Sequence, residues 1–445
     1  MTTGLQKRSC CIVGGGPAGV MLGYMLARSG VRVTVLEKHR DFFRDFRGDT
    51  VHPSTLELLW ELGLLEEFLQ LQHQKVTSLH VRLGNSTFEI ANLDHARTHC
   101  RFIAIMPQWD FLNFLSEQAK KYPTFDLRME HEAVDLRRQG NRVRGVVART
   151  PQGIEEIEAD LVVASDGRHS AMRAAAEFEV EESGVPIDVL WFRISRREED
   201  REPGLGNVNY GKILVLINRK DYYQAAYIIR KDSYERIKQR GLEAFRQDIA
   251  QVVPFLSDRI EELKSWEQVK LLSVQINRLK RWYRPGLLCI GDAAHAMSPV
   301  FGVGINLAIQ DAVAAANVLA GPLLGGQDTD PLLRRVQQRR ELRTRLTQRL
   351  QAIAHIGLKY VFEARGPLEV PWPVRLVLRS HVLLPILLRV VGIGKLPERV
   401  SETVLLNGSV VFKQRTRAIT LGRVVGTGAG IAAAAVWLFF SRNRL

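Results

Sequence analysis

Cysteine is scarce in this chain of 445 residues, which contains only Cys10, Cys11, Cys100 and Cys289. Cys10 and Cys11 are adjacent in one apolar run and Cys289 lies in another, so none has the spacing of a metal site or redox pair. This pattern excludes a disulfide-stapled secreted domain and favours a reducing compartment. The polar segment before Ser9 predicts no cleavable signal peptide, so we expect a cytoplasmic catalytic region.

Net charge is nearly absent from the first 330 residues, which hold 42 Lys and Arg against 43 Asp and Glu. Residues 331–445 hold 20 against 5, so the net charge of +14 is concentrated near the C-terminus. A basic segment suits nucleic acid or an anionic membrane. Its apolar runs, residues 374–396 and the uncharged residues 424–440, favour membrane lipids and argue against nucleic acid. A buried C-terminal helix is the alternative, because 17 residues is the lower limit for a membrane span.

A glycine-rich motif follows the first apolar run, Ser9–Val13. Gly14 permits a tight turn, and Gly16 lets the backbone approach a pyrophosphate. Gly19 lets the following helix, predicted at Pro17–Arg28, pack closely on the strand. The free amides and the dipole at the start of that helix favour phosphate. The motif therefore predicts a dinucleotide site.

An acidic residue, Glu37, ends the next predicted strand, 18 residues beyond Gly19. A carboxylate there can accept both ribose hydroxyls and disfavours an adenosine 2′-phosphate, so the sequence predicts FAD or NAD rather than NADP. The residues predicted to bind the dinucleotide in this region are Gly14, Gly16, Pro17, Ala18, Gly19, Glu37 and Lys38.

Two later segments repeat the pattern of an apolar strand that ends in a Gly or Asp turn. The first is Leu161–Ala164, followed by Asp166. The second is the run 287–290, followed by Gly291 and Asp292. Three such motifs in this order and at these separations indicate a flavoprotein.

These motifs resemble those of class A flavoprotein monooxygenases, the para-hydroxybenzoate hydroxylase-like family of aromatic and polyketide hydroxylases. The similarity covers about residues 8–350. In that family, Gly-Asp-Ala-Ala-His is followed by Pro and by Gly-x-Gly-x-Asn at a helix start. The matching residues here are Gly291, Asp292, His295, Pro299, Gly302, Gly304 and Asn306.

The resemblance implies roles for several residues. Asp292 would bind the ribityl chain, and residues 302–306 would meet the pyrimidine edge of the flavin. Asp166 would lie near FAD and the path of the nicotinamide donor. Arg47 matches an arginine that contacts FAD and moves with the flavin, and Gln108 matches a glutamine near the ribityl–phosphate region.

Charge supports the placement of the helix that begins at Asn306. Reduced flavin is anionic, and free amides at a helix N-terminus would stabilise that charge. No catalytic residue is assigned, since His295 is predicted to be structural and His52 to be a loop residue.

The resemblance implies an α/β fold in which a Rossmann-like FAD-binding (GR2) domain is interleaved with a β-sheet substrate domain and followed by a helical C-terminal region. NADH or NADPH would reduce FAD, and O2 would form a C4a-hydroperoxyflavin. This species would hydroxylate or epoxidise an apolar, aromatic or polyketide/quinone-like substrate. Only one nucleotide fingerprint is present, so the reductant is expected to dock transiently.

Two alternatives remain open at this point. One is a membrane-associated flavin-dependent reductase or dehydrogenase of a prenyl-type lipid. The other is a tethered flavoprotein that only transfers electrons. Oligomeric state is not predicted from these motifs.

The predicted FAD-binding domain comprises residues 1–75, 100–182 and 270–330, and the substrate domain comprises residues 76–99 and 183–269. A helical segment, 331–373, and a membrane-associated tail, 374–445, follow. Hairpins are predicted at 76–93 and 142–159, and strands of a further sheet at 187–194, 213–218 and 224–229. The helix predicted at 328–351 is rich in Arg and Gln, and its charges are expected to form a solvated face.

Overall fold

The computed structural model describes residues 8–43, 49–94, 98–200, 205–364, 366–378, 380 and 397–406. Arg47 and the apolar segment 424–440 lie outside the described residues, as does the segment 381–396. Predictions that concern these parts of the chain are therefore not addressed by the fold.

The described chain alternates between strands and helices, as expected of an α/β protein. The strands are β1 Ser9–Val13, β2 Arg32–Leu36, β3 Thr50–Val51, β4 Gln74–Val76, β5 Ser78–Leu83, β6 Ser86–Asn92, β7 Ile103–Ile105, β8 Phe125–Arg128, β9 Glu132–Gln139, β10 Arg142–Thr150, β11 Gly153–Glu158, β12 Leu161–Ala164, β13 Val180–Ser183, β14 Ile187–Ser195, β15 Gly206–Asn209, β16 Lys212–Asn218, β17 Tyr222–Arg230, β18 Lys270–Leu272, β19 Ile276–Leu279, β20 Tyr283–Arg284 and β21 Leu287–Cys289.

The helices cover the sheets and join them. The α-helices are α1 Pro17–Arg28, α2 Pro53–Glu61, α3 Leu65–Leu69, α4 Gln108–Lys120, α5 Ala171–Ala175, α6 Tyr234–Gln239, α7 Leu242–Val252, α8 Gly304–Leu324, α9 Asp330–Glu363, α10 Trp372–Leu378 and α11 Glu402–Leu406. Short 3-10 helices lie at Pro254–Leu256, Ile260–Glu262, Trp266–Gln268, Gly291–Ala293 and Val300–Gly302.

The central sheet has six strands in the order β20-β21-β12-β1-β2-β8. All neighbouring pairs are parallel except β20 with β21. Every residue of β12 is buried, as expected when helices or a second layer cover both faces of a parallel sheet. The three motifs follow β1, β12 and β21, which are adjacent strands, so their turns meet at the carboxyl edge of the sheet.

A second sheet has seven strands in the order β18-β14-β17-β16-β15-β5-β6. It contains the predicted strands near 187–194, 213–218 and 224–229 and the predicted hairpin at 76–93. One face packs on α7 through Phe192, Tyr227 and Phe245. The division of the chain into two interleaved domains stays a prediction.

The opposite side of the seven-stranded sheet, here called the inner face, consists of Val189, Trp191, Val215, Ala226 and Ile228. These residues are cross-strand neighbours on β14, β17 and β16. Partly buried side chains from outside the sheet pack against this face, namely Val300 before α8 and Leu358 and Phe362 of α9. The inner face is therefore apposed to the half of the molecule that contains the glycine-rich motifs.

Helix α9 spans 34 residues, a length of about 50 Å at 1.5 Å per residue. The expectation that its polar residues form a solvated face is wrong for one side, where several are buried. Arg340 is one of them, and its Nε donates to Asp311 of α8 at 2.7 Å, with side-chain exposures of 1% and 0%. The sequence pattern could not identify this pair, because nothing local distinguishes Arg340 from the exposed arginines beside it.

One described segment, Val300–Leu324, is long and apolar enough to cross a membrane by length and composition. It coincides with α8, and 67% of its most apolar window is buried inside the protein. Alanines 312 and 314–316 have no exposed surface, so this helix belongs to the core around the central sheet.

The Arg340–Asp311 pair generates a stability prediction. We expect Arg340→Met to lower the free energy of unfolding by about 3–5 kcal/mol, because it removes one partner of a buried ion pair. Arg345→Met is the matched control on the same helix. Arg345 pairs with Glu341 one turn away and is 46% exposed, so its loss should cost about 0.5 kcal/mol or less. Chemical denaturation of both variants measures the difference, and equal losses would contradict the argument.

Candidate functional site

The glycines of the first motif meet different steric demands. Gly14 has φ +101°, and a Cβ added there would lie 2.6 Å from the Ser165 carbonyl oxygen. A Cβ at Gly19 would lie 1.9 Å from the Gly14 carbonyl oxygen, so α1 packs on β1 only without a side chain there. A Cβ at Gly16 would meet no described atom within 4 Å. Gly16 therefore borders open space at the start of α1, which has no side-chain cap.

Glu37 lies at the end of β2, beside this space. Its carboxylate accepts hydrogen bonds from the amides of Gly15 and His39, both at 3.1 Å. Each carboxylate oxygen has a further lone pair that could accept a ribose hydroxyl. Lys38 is exposed, while Pro17 occupies the first turn of α1 and Ala18 is buried behind it.

The second motif contacts the first through Ser165, whose hydroxyl lies 2.9 Å from the carbonyl oxygens of Val13 and Gly14. Asp166 accepts a hydrogen bond from the Met172 amide at 3.2 Å, and burial raises the pKa of its carboxyl group. Arg168 extends from the same turn to 3.6 Å from Asp292 of the third motif. The three predicted turns are thus brought together in space.

The third motif is hydrogen-bonded to Asp311 of α8. Its carboxylate accepts the Gly291 amide at 3.0 Å and lies 2.6 Å from His295 Nε2. Burial acts to raise the pKa of Asp311, but His295 and Arg340 outweigh it, so this pKa is lowered and the carboxylate is charged. Asp292 itself stays one-third exposed beside the space. His295 is buried beside Asp311, and its structural role stays a prediction.

The start of α8 forms another wall. Its N-terminus has no side-chain cap, and a Cβ at Gly304 would meet no described atom within 4 Å. Asn306 is buried, and its Oδ1 accepts the His52 amide at 3.1 Å and the Thr55 hydroxyl at 2.7 Å. The Asn306 Nδ2 has no partner among the described residues, so it could donate to a carbonyl oxygen of a bound ring. Open glycines, uncapped amides and this buried donor fit a flavin dinucleotide.

The turn before α8 has an unusual backbone. Pro299 precedes the short 3-10 helix, in which Phe301 has φ +73° and Gly302 has φ +61°. A positive φ is rare for a bulky residue and marks strain that the surroundings must hold. The Thr50 hydroxyl donates to the Gly302 carbonyl oxygen at 2.8 Å. The predicted residues Pro299, Gly302 and Gly304 therefore lie in a constrained turn next to β3.

A buried polar cluster that the sequence did not predict joins this region to the seven-stranded sheet. Asp49 forms an ion pair with Arg219 and accepts a hydrogen bond from Gln224 Nε2 at 2.8 Å. The Gln108 amide at the start of α4 also donates to Asp49. Burial raises the pKa of Asp49, against the opposing effect of Arg219. The sequence offered little to identify this cluster. Asp49 lies two positions after Arg47 but belongs to no recognised motif.

Comparison with protein families shows to which family the chain belongs. A family model described as FAD binding domain matches residues 7–350. The chain therefore belongs to this family, and its resemblance to class A flavoprotein monooxygenases is confirmed. It is an FAD-dependent oxidoreductase.

Two curated relatives cover most of the chain. The 6-methylpretetramide 4-monooxygenase of Streptomyces rimosus is 32% identical over 354 residues, which are 77% of this chain and 82% of that protein. The kynurenine 3-monooxygenase of Aspergillus terreus is 24% identical over 412 residues, which are 82% and 80% of the two chains.

Solved structures share the fold. The p-nitrophenol 4-monooxygenase of Pseudomonas putida superposes with a TM-score of 0.69 at 19% identity, covering 88% of this chain and 99% of the other. Anhydrotetracycline hydroxylase from Streptomyces rimosus gives a TM-score of 0.66 at 21% identity, covering 86% and 75%. The predicted α/β architecture is confirmed.

The two glycines of the first turn generate a paired prediction. Gly16→Ala should leave the melting temperature of the apoprotein unchanged, but weaken FAD binding by roughly tenfold, about 1.4 kcal/mol, because its methyl group fills the open space. Gly19→Ala should instead destabilise the fold by about 1–3 kcal/mol through the clash with Gly14. Thermal melting and FAD titration distinguish the two effects. Unchanged FAD affinity in Gly16→Ala would remove Gly16 from the cofactor site.

Proposed function

We propose that this enzyme uses NADH or NADPH and O2 to hydroxylate a fused aromatic, polyketide-like substrate held on the inner face of the seven-stranded sheet. The apolar inner face, apposed to the start of α8 through Val300, is the observation on which this proposal depends. The similarity to a 6-methylpretetramide 4-monooxygenase over 82% of that protein supports the substrate class. The curated relatives reported above are named monooxygenases, so nothing in them favours a prenyl-lipid reductase or an electron-transfer protein.

In this proposal, different residues bind different parts of FAD. Gly16 admits the pyrophosphate to the start of α1, and Gly14 and Gly19 allow the turn and the close packing of α1 that place it there. Glu37 and Asp292 accept hydroxyls of the ribose and ribityl chains. FAD, when bound and reduced, supplies the electrons and activates oxygen. The uncapped amides at the start of α8 would stabilise negative charge on a flavin bound there.

The substrate side has complementary chemistry. Trp191 and Ala226 form a buried apolar layer suited to an aromatic ring, and Val300 packs against it on the side of α8. The buried cluster of Asp49, Arg219 and Gln224 lies where the sheet meets β3, so polar groups border one end of the inner face. Burying the substrate there excludes water from the reaction.

Oxygen transfer is tested by isotope labelling. The FAD-loaded enzyme is mixed with NADH or NADPH, labelled O2 and a panel of fused phenols that includes anhydrotetracycline, with p-nitrophenol as the single-ring comparison. We expect substrate-stimulated NAD(P)H oxidation and one labelled oxygen atom in the product of a fused-ring substrate. Equal product formation without O2, with another electron acceptor, would show a reductase instead.

We also propose that the C-terminal region holds the enzyme on a membrane, with the catalytic part in the cytoplasm. The basic charge and apolar runs beyond residue 374 support this proposal. Large apolar side chains are also exposed on α9 and α10. These are Ile356, Tyr360, Trp372 and Leu376, with exposures of 42%, 38%, 76% and 64%. Such exposure near a basic apolar segment suits an anionic lipid surface.

Membrane association is tested by fractionating the full chain and a truncated chain that ends at Arg423. We expect full-length protein in the membrane fraction, resistant to high salt and released by detergent, because an apolar anchor does not depend on charge. The truncated chain should be washed off by salt. Full-length protein that is soluble at low salt would contradict the anchor.

A further inference from the structure

The buried side of α9 has polar residues where a core-facing helix ordinarily has apolar ones. Five of them are buried and lie along one side of the helix, because they are separated by three, four or eight residues, which is about one or two turns. They are Gln337, Arg340, Gln348, Gln351 and His355. We call this set the polar stripe. Burying polar groups costs free energy unless each is hydrogen-bonded, so the side chains of the stripe need hydrogen-bond partners in the elements packed against α9.

The partners of the stripe lie mainly in the segment 277–300. Gln337 accepts the Trp282 amide at 3.1 Å and donates to the Lys280 carbonyl oxygen at 2.9 Å. Gln348 donates to the carbonyl oxygens of Asn277 and Ala296 at 2.9 and 3.2 Å. Helix α9 thus fixes the backbone that leads into the turn before α8.

The most extensive contacts are at Ser298 and Val300. The side chain of Gln351 makes three hydrogen bonds here. Its Oε1 accepts the backbone amide of Ser298 at 3.2 Å, and its Nε2 donates to the carbonyl oxygens of Ser298 and Val300 at 2.9 and 3.0 Å. His355 Nε2 lies 3.0 Å from the Ser298 hydroxyl, which accepts the Val300 amide at 3.3 Å. Burial lowers the pKa of His355, which favours the neutral ring in this hydrogen bond with the Ser298 hydroxyl.

These contacts end where the strained backbone begins. Gln351 holds the carbonyl oxygen before Phe301, and Thr50 holds the carbonyl oxygen of Gly302 after it. Between these two points, Phe301 keeps its positive φ and a side chain that is 42% exposed. A bulky residue keeps a left-handed backbone conformation only where the surrounding structure fixes the backbone on both sides.

Resting on the proposed function, we propose that Gln351 and His355 are positioning residues for oxygen transfer. Through Ser298 and Val300 they set the turn 299–302, which separates the inner face from the start of α8. The turn in this position fixes the distance between the substrate and the flavin ring. A small displacement of the turn misaligns the reacting atoms without removing any group that binds FAD, and reaction rates are sensitive to such displacements.

The first test compares Gln351→Met with Gln337→Met in the full-length, FAD-loaded enzyme. Both substitutions remove hydrogen bonds from the stripe, but Gln337 does not contact the turn. We expect similar decreases in melting temperature. Only Gln351→Met should lower the yield of hydroxylated anhydrotetracycline per NAD(P)H by roughly tenfold, with hydrogen peroxide accounting for the difference. It alone should also change the visible absorption spectrum of bound FAD.

The second test uses His355, for which a conservative replacement exists. In His355→Gln, the side-chain amide offers both a donor and an acceptor and can take the place of Nε2 in the hydrogen bond with the Ser298 hydroxyl, so product yield should be preserved. His355→Leu should uncouple the reaction as Gln351→Met does. Equal uncoupling in Gln337→Met, or unchanged yield and spectrum in Gln351→Met and His355→Leu, would overturn the positioning role. If the wild type transfers no oxygen, the proposed function fails, while the FAD spectra of the variants still decide whether the stripe positions the turn.

Discussion

The buried carboxylate of Asp311 is the interaction on which the rest of the site depends. Taking a carboxylate out of water is unfavourable, and Asp311 compensates with His295, Arg340 and the Gly291 amide as partners. Gly291 and His295 belong to the third motif at the sheet edge, and Arg340 belongs to α9, so Asp311 joins both to α8. Asp311 lies on α8 only five residues after Asn306, so the same contacts fix how α8 is rotated and where its first amides point. A charge placed in the core for structural reasons thereby orients the proposed flavin end of the helix.

Local patterns predicted the local structure well. The bounds of β1 and α1 follow directly from the sequence, because an apolar run, a glycine turn and a helix start are determined by neighbouring residues. The hairpins and the strands of the seven-stranded sheet were also confirmed. The family was identified for a similar reason, since three short motifs each preserve the geometry of one strand and its turn. The roles of individual cofactor residues remain predictions, although the structure brings their three turns together.

Long-range polar pairs could not be predicted in this way. Asp49 meets Arg219 and Gln224 across more than 160 residues, and no spacing rule connects them. On α9, the polar stripe looks like a solvated face, since Gln and Arg are normally exposed on helices. Whether such a residue is buried depends on what packs against it. Here the partners are backbone groups of the segment 277–300, most of them in the connections before β20 and after β21, whose amides and carbonyl groups need hydrogen bonds. The polar stripe satisfies those groups, which an apolar helix face could not do.

The placement of these polar contacts explains how a substrate site can form between two halves of one chain. The inner face is apolar, and apolar packing alone is non-directional, so it would not fix the distance between the seven-stranded sheet and the start of α8. Hydrogen bonds and ion pairs are directional and penalise misalignment when buried. The Asp49–Arg219–Gln224 cluster provides such a contact at one end of the face, and α9 provides another through Ser298 before its stripe becomes apolar at Leu358 and Phe362. In the proposed function, the apolar residues could therefore vary to suit a substrate, while the polar ones keep the seven-stranded sheet and the start of α8 at a constant distance.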